Sequence, residues 1–199
     1  MYKKMIKRPL DTMLALMGTV VLGPLMLIVS VLIKIDSKGP ILYKQERLGK
    51  NRKPFTIYKF RTMCENAYEM GGVVTESSDK RITKIGSILR RTSIDELPQF
   101  FNIINGTMAI IGPRPILDWE FEQYCEIREY KKRYDVLPGM FCTVDLNYRA
   151  SAERELQFKM DAKYSENITF IGDCKIFFGI IKTVVTGKNI YRKEDNTND

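Results

Sequence analysis

Thr12-Met-Leu-Ala-Leu-Met-Gly-Thr-Val-Val-Leu-Gly23-Pro24-Leu-Met-Leu-Ile-Val-Ser-Val-Leu-Ile33 decides the fold: 22 consecutive residues without a charge. As one helix the run would be about 33 Å long, enough to cross a ~30 Å hydrocarbon core. A single spanning anchor is the plain reading, and a proline-kinked span is an ordinary variant of it. Two features favour a different reading. Gly23-Pro24 sits mid-run, where proline removes one backbone hydrogen bond and crowds the preceding turn. Both flanks are basic, with Lys3, Lys4, Lys7 and Arg8 before the run and Lys34, Lys38, Lys44 and Arg47 after it. Positive flanks prefer the cytosol, so a straight span would strand one of them outside. A broken, re-entrant helix that dips in and returns keeps both inside. The run is longer than the apolar core of a secretory signal and no small-residue cleavage site follows, so it reads as retained.

Charge is concentrated around this run. Of 32 Lys+Arg and 24 Asp+Glu, residues 1–61 hold 13 and 3, a net of +10, which leaves 19 against 21 for the remainder, a net of −2. A basic third could bind nucleic acid through phosphate contacts. These cations adjoin an apolar segment, where anionic lipid accounts for them at ~1 kcal/mol each. A lipid surface is therefore the expected partner, and nucleic acid is not. Histidine is absent from the 199 residues, which excludes imidazole bases and His-ligated metals. The four cysteines (Cys64, Cys125, Cys142 and Cys174) show no C-x-x-C spacing, so they suggest free thiols in a reducing, cytosol-facing setting.

The rest of the chain reads as α+β. Residues 41–47 and 55–61 read as two short strands joined by a loop containing Gly49 and Asn51. Alternation puts Lys59 and Arg61 on one face of the second strand, and a solvated face beside anionic lipid is the plain account of both. Helical spacing of Ile82, Ile85 and Leu89 predicts a helix over 81–90, and Leu97, Phe100, Phe101, Ile103 and Ile104 make a short apolar helix, in the core or at the membrane interface. Residues 107–111 resemble a strand leading into the rigid turn Gly112-Pro-Arg114-Pro115. Residues 118–135 read as a charge-laced amphipathic cover helix, 152–164 as another helix, and 168–185 as an interfacial or packed helix. One domain over 1–199 is the simplest organisation: a membrane-embedded helix (1–36), a mainly helical cytosol-facing catalytic part with short strands and interfacial amphipathic helices (37–186), and a polar tail (187–199).

With histidine absent, Asp95-Glu96 is the most informative carboxylate pair. Ser93-x-x-Glu96 matches a helix capping box, the structural account of these acids. Pro98 disfavours Ser93 as the cap, because it would then need a backbone N–H that it lacks. A helix starting at Asp95 tolerates Pro98, and a carboxylate at that positive dipole end stays ionised with a lowered pKa. An ionised aspartate can attack phosphorus, and its neighbour can hold Mg²⁺, which needs only one or two carboxylates besides substrate phosphate. Arg90, Arg91 and the proline-flanked Arg114 offer planar forks for phosphate oxygens. Phosphoryl chemistry on an anionic substrate follows, and the membrane segment makes one substrate a lipid.

Several motifs occur in order over nearly the whole chain: Lys7-Arg8-x-x-Asp11, the central Pro24, Tyr58-Lys-Phe-Arg-Thr-Met63, Asp95-Glu-Leu-Pro-Gln99, Ile111-Gly-Pro-Arg-Pro115, Pro138-Gly139, Asn147-x-Arg149, Asp161 and Asp173-x-Lys175. In this ordered set the chain resembles the small monotopic phosphoglycosyl transferases, or bacterial sugar transferases. The resemblance implies transfer of a sugar 1-phosphate from a UDP-sugar to polyprenol phosphate, with release of UMP and a need for Mg²⁺. Such a reaction starts a lipid-linked glycan at the cytoplasmic face of the bacterial inner membrane. It further implies Asp95 as nucleophile, Glu96 as a Mg²⁺ ligand beside it, Arg90 and Arg114 on phosphates, and Lys59, Arg149 and Asp173 as further site residues. Departures fall in one segment, where Phe141, Cys142, Asp145 and Tyr148 replace the Thr, Gly, Gln and Gly of the family pattern, and Arg154 replaces a frequent tryptophan. They bear on which sugar is used more than on the chemistry. A catalytically inactive scaffold of the same fold is the alternative, and the intact Asp95, Glu96, Arg90 and Arg114 argue against it.

Overall fold

A computed structural model describes residues 1–71, 79–124, 127–148 and 153–185. The tail expected at 187–199 and Arg149 lie outside these residues. A π-helical turn, Tyr2–Ile6, runs into α1 (Lys7–Asp36), which continues uninterrupted through Pro24. The expected break at Gly23-Pro24 is thus no chain reversal. Proline removes one amide donor, and a helix that continues past it keeps the rest bonded internally, the cheapest state for backbone in an apolar setting. The buried positions of α1 are Lys7, Asp11, Ala15, Met26, Val29 and Ile33. Their steps of three, four and eleven residues, each close to a whole number of turns, make one stripe along the helix. The opposite face exposes Met13, Met17, Val20, Val21, Leu27, Ile28, Val31 and Ile35.

Both ends of α1 pack on the same domain. Near its start, Ala15 joins the core built from Ile103, Met108, Ile111, Tyr164 and Ile180. Near its finish, Met26, Val29 and Ile33 pack on Phe60 and Leu89. Between them, Gly18 lies against the Phe100 ring, where an added Cβ would come within 2.9 Å.

The hairpin forms where alternation placed it, with β1 (Leu42–Leu48) antiparallel to β2 (Pro54–Phe60) and Tyr43 opposite Lys59. Arg61 is not on a solvated face. It lies beyond β2, is buried, and donates to the carbonyls of Ser37 and Lys38, which close off α1. After α2 (Ala67–Gly71), α3 (Lys84–Thr92) starts at Thr83, whose Oγ1 accepts from the Gly86 amide at 3.0 Å, and ends at Ser93, in the left-handed region at φ 58°. A 3₁₀ turn, Ile94–Glu96, then precedes α4 (Gln99–Ile104). The helix expected to begin at Asp95 therefore begins after Pro98, which needs no N–H there. The left-handed Ser93 turns the chain and leaves Asp95 and Glu96 in a turn of their own.

Two short parallel strands, β3 (Ala109–Ile111) and β4 (Gly139–Phe141), follow. A Cβ on Gly139 would lie 2.0 Å from the Gly112 nitrogen, so the two backbones approach too closely for any side chain. Gly139→Ala should destabilise the fold by at least about 2 kcal/mol through overpacking, read as a lowered urea midpoint. An unchanged midpoint would contradict the close approach.

The segment 118–135 is not one cover helix. It forms α5 (Asp118–Glu122), α6 (Arg128–Lys131) and a 3₁₀ turn, Lys132–Asp135. Its Phe121, Tyr130 and Tyr134 build a second core with Phe158 of α8 (Arg154–Glu166). Its charges are mostly outward, but Phe121, Tyr130 and Tyr134 take up the inward face, which the charge pattern does not reveal. The short α7 (Thr143–Asn147) precedes α8, and α9 (Phe170–Val185) follows it.

Candidate active site

The 3₁₀ turn projects Glu96 into a small, solvent-open cleft. Arg47, Lys59, Gln99, Arg114 and Cys142 line it as well. Lys59 Nζ donates to Glu96 Oε1 at 2.6 Å, tying β2 to the turn. Arg114, in the turn after β3, donates from Nη1 to Asp145 Oδ1 at 2.9 Å.

The Arg114 turn is braced from behind. Arg133 Nη2 donates to the Arg114 carbonyl at 2.5 Å and to Asp161 Oδ2 at 2.7 Å, while Asp161 Oδ1 accepts from the Arg114 amide at 3.4 Å. The Arg133 guanidinium also stacks over Phe158 at 4.9 Å. Backbone and side chain of Arg114 are thus held separately, which lowers the ordering cost of binding an anion.

Asp95 does not line the cleft itself but shares the turn with Glu96. Burial pushes its carboxyl up to about 6; Lys59 opposes this, Glu96 adds to it, and Arg90 opposes it. The direction reverses the depression expected at a helix N-terminus, because Asp95 caps no helix here. Arg90, in the last turn of α3, is anchored by Nε donating to Thr62 Oγ1 at 2.8 Å. Burial also raises the Cys142 thiol well above its usual range, so it stays neutral and is no nucleophile at neutral pH.

Among the described residues no group of three or more acids or cysteines is arranged to hold a metal. The adjacent carboxylates of Asp95 and Glu96 supply hard oxygen donors, which fits Mg²⁺, a cation that fills its remaining positions with water and substrate phosphate.

Asp173 stands apart from this cleft. Its Oδ2 accepts from Lys7 Nζ and Tyr2 OH, each at 2.7 Å, and its Oδ1 accepts from Tyr164 OH at 2.7 Å. Lys7 also faces Asp11 at 3.3 Å, and all three charged groups are buried. Asp173 therefore clamps the start of α1 to α9. Asp173→Asn should leave the Mg²⁺ dependence of turnover unchanged and destabilise the fold by about 3 kcal/mol, because it leaves Lys7 underpaired. Thermal unfolding and a Mg²⁺ titration check this, and altered Mg²⁺ dependence with full stability would contradict the clamp.

Arg47 and Gln99 join the cleft without having been singled out as site residues. Antiparallel register carries the signal for Arg47: Tyr43 faces Lys59, so Gln45 and Arg47 share the Lys59 face. Its neighbours near the apolar run made Arg47 read as a membrane flank.

The bacterial sugar transferase model matches residues 2–187. The chain belongs to the bacterial sugar transferase family. It is 37% identical over 193 residues to the exopolysaccharide production protein PSS of Rhizobium leguminosarum bv. phaseoli, covering 91% of this chain and 96% of that protein. It is 39% identical over 186 residues to the UDP-N-acetylgalactosamine-undecaprenyl-phosphate N-acetylgalactosaminephosphotransferase of Aeromonas hydrophila, over 92% of this chain. It is 35% identical over 180 residues to the UDP-glucose:undecaprenyl-phosphate glucose-1-phosphate transferase of Escherichia coli K12, over 89% of this chain. The chain spans 44% and 38% of the length of these last two family members and nearly all of the Rhizobium protein.

Proposed function

We propose that this chain transfers a sugar 1-phosphate from a UDP-sugar to polyprenol phosphate, through a phosphosugar carried on Asp95, and so initiates assembly of a bacterial glycan. The observation that carries the reading is the placement of Asp95 and Glu96 on one turn between cations from three separate elements: Lys59 of β2, Arg90 of α3 and Arg114 of the turn after β3. The family members named for undecaprenyl-phosphate sugar phosphotransfer support it.

In the first half-reaction an Asp95 carboxylate oxygen attacks the phosphorus that bears the sugar. The bond from that phosphorus to the bridging oxygen breaks, and UMP departs with the electron pair. Lys59 and Arg90 balance charge on the attacked phosphoryl group. Asp95 must be ionised to attack, and its burial raises its basicity and hence its nucleophilicity. In the second half-reaction a phosphate oxygen of the lipid attacks the same phosphorus and frees Asp95. Mg²⁺, held by Asp95 and Glu96, would neutralise phosphate charge when bound.

The lipid substrate requires the site to sit at a membrane surface. Lys7 is clamped to Asp173 and Ile33 is packed on Phe60, so both ends of α1 belong to one domain, which supports a helix that enters the bilayer without crossing it. The exposed Phe170, Ile171, Phe178 and Ile181 of α9 extend the apolar surface, and Phe170 touches Tyr2 at the start of α1. These faces suit the cytoplasmic leaflet of a bacterial inner membrane, a monotopic placement.

The test is turnover in nanodiscs with Mg²⁺, undecaprenyl phosphate and a panel of UDP-sugars. The expected result is one UMP per lipid diphosphosugar formed, abolished by EDTA. Release of UDP instead, or no turnover with any donor, would overturn the reading, and the second outcome would favour an inactive scaffold.

A further inference from the structure

We propose that Arg47 is a further substrate-binding residue of this cleft, holding the phosphate that stays with the nucleotide when the sugar phosphate is transferred. The assignment rests on the donor reading above and deepens it.

The side chain of Arg47 is only 19% exposed, yet it lines the same cleft as Lys59, Glu96 and Arg114. Its guanidinium is aimed from behind. Gln45 Oε1 accepts from Nη2 at 2.6 Å and from Nε at 3.1 Å. A planar fork fixed on one edge presents the other at little ordering cost. Its acidic neighbour is Glu120, whose Oε2 lies 3.4 Å from Nη1, a long contact for an ion pair. That carboxylate is already engaged: Oε1 lies 2.5 Å from Arg154 Nη2, and Oε2 accepts from the Leu117 amide at 2.7 Å. Glu120 therefore compensates Arg47 only in part. Arg47 and Arg114 also repel each other, a cost that an anion held between them would relieve.

The order of groups along the cleft says which phosphate this is. Lys59 is tied to Glu96, on the turn that carries Asp95. Arg47 stands on the same face of the hairpin, four residues beyond Tyr43, the partner of Lys59, or about 13 Å further along the strand. The attacked phosphorus must lie beside Asp95, at the Lys59 end. The second phosphate, one bridging oxygen away, then lies toward Arg114 and Arg47. As the Asp95 oxygen–phosphorus bond forms, the bond to the bridging oxygen breaks and its electron pair moves onto that second phosphate. A cation placed there gains interaction energy as the charge develops.

The experiment titrates UMP and uridine calorimetrically into the full chain in nanodiscs, as wild type, Arg47→Gln and Arg47→Lys. Arg47→Gln should weaken UMP binding at least tenfold and leave uridine binding within about twofold. Arg47→Lys should fall between, since it keeps the charge and loses the fork. Unchanged UMP affinity overturns the assignment, as does an equal loss for UMP and uridine, which a structural role would produce. Wild type that binds no UMP overturns the donor reading together with this one. If Arg47→Gln does not fold, Glu120→Gln decides: removing the partial counter-charge should tighten UMP binding with uridine unaffected, and unaltered UMP binding overturns the assignment.

Discussion

Asp95→Asn should abolish turnover, by at least about 10³-fold, and at the same time make the protein more stable at neutral pH. The activity loss follows from chemistry: an amide of nearly the same shape cannot attack phosphorus, and Glu96 on the same turn is held by Lys59 at 2.6 Å. The stability gain follows from linkage. Burial raises the Asp95 carboxyl to about 6 in the folded state, against about 3.9 in an unfolded chain. A raised folded pKa contributes stability that is fully present below the unfolded value and lost as pH rises through the folded one. At pH 7.5 the wild type therefore bears a penalty of up to about 3 kcal/mol that asparagine avoids. The difference in unfolding temperature between the two proteins should be large at pH 8 and shrink toward zero near pH 4. The rate of UMP release should fall as pH drops below about 6, as Asp95 takes up its proton. Residual activity within tenfold of wild type, or a variant less stable at pH 8, would contradict this role for Asp95.

Arg133→Met should cost about 3–5 kcal/mol of stability, the usual price of stranding one partner of a buried ion pair. Arg133 and Asp161 have side chains 2% and 0% exposed, so Asp161 would be left charged in the interior or forced to take a proton. Arg133 also braces the Arg114 carbonyl, so the turn carrying Arg114 loosens too. Two readouts separate these effects. In the double variant Arg133→Met with Asp161→Leu, urea unfolding should recover most of the lost stability, because an apolar pair can replace a buried ionic one. Turnover should not recover, because the Arg114 backbone has then lost both its partners. Recovery of both, or of neither, would show that the pair does not position Arg114.

The hairpin was readable because alternation over seven-residue strands is a strong signal, and its register follows from the intervening loop. The helix at 84–92 was readable from its apolar spacing. The three-residue β4 was not, since Gly139-Met-Phe opens on a glycine after Pro138, whereas the equally short β3 lies in the apolar run Met108-Ala-Ile-Ile111. The turn at Asp95 was misread as a helix start because the left-handed conformation of Ser93 depends on what packs around it, not on a glycine that could announce it. Lys59 with Glu96, and Arg114 with Asp145, were named separately, but their pairing across 37 and 31 residues is a tertiary fact. Asp173 shows the converse limit. A motif marks that a carboxylate is needed, and only packing shows that Lys7, Tyr2 and Tyr164 are what need it.

The covalent role of Asp95 is tested most directly by intact mass. The full chain in nanodiscs, with Mg²⁺ and a UDP-sugar donor but no lipid acceptor, should gain the mass of one sugar phosphate and release a stoichiometric burst of UMP. The added mass should disappear when undecaprenyl phosphate is supplied, and Asp95→Asn should show neither mass nor burst. Turnover on lipid without any adduct or burst, from a protein that makes the lipid diphosphosugar, would mean direct transfer between the two substrates and would contradict Asp95 as the carrier.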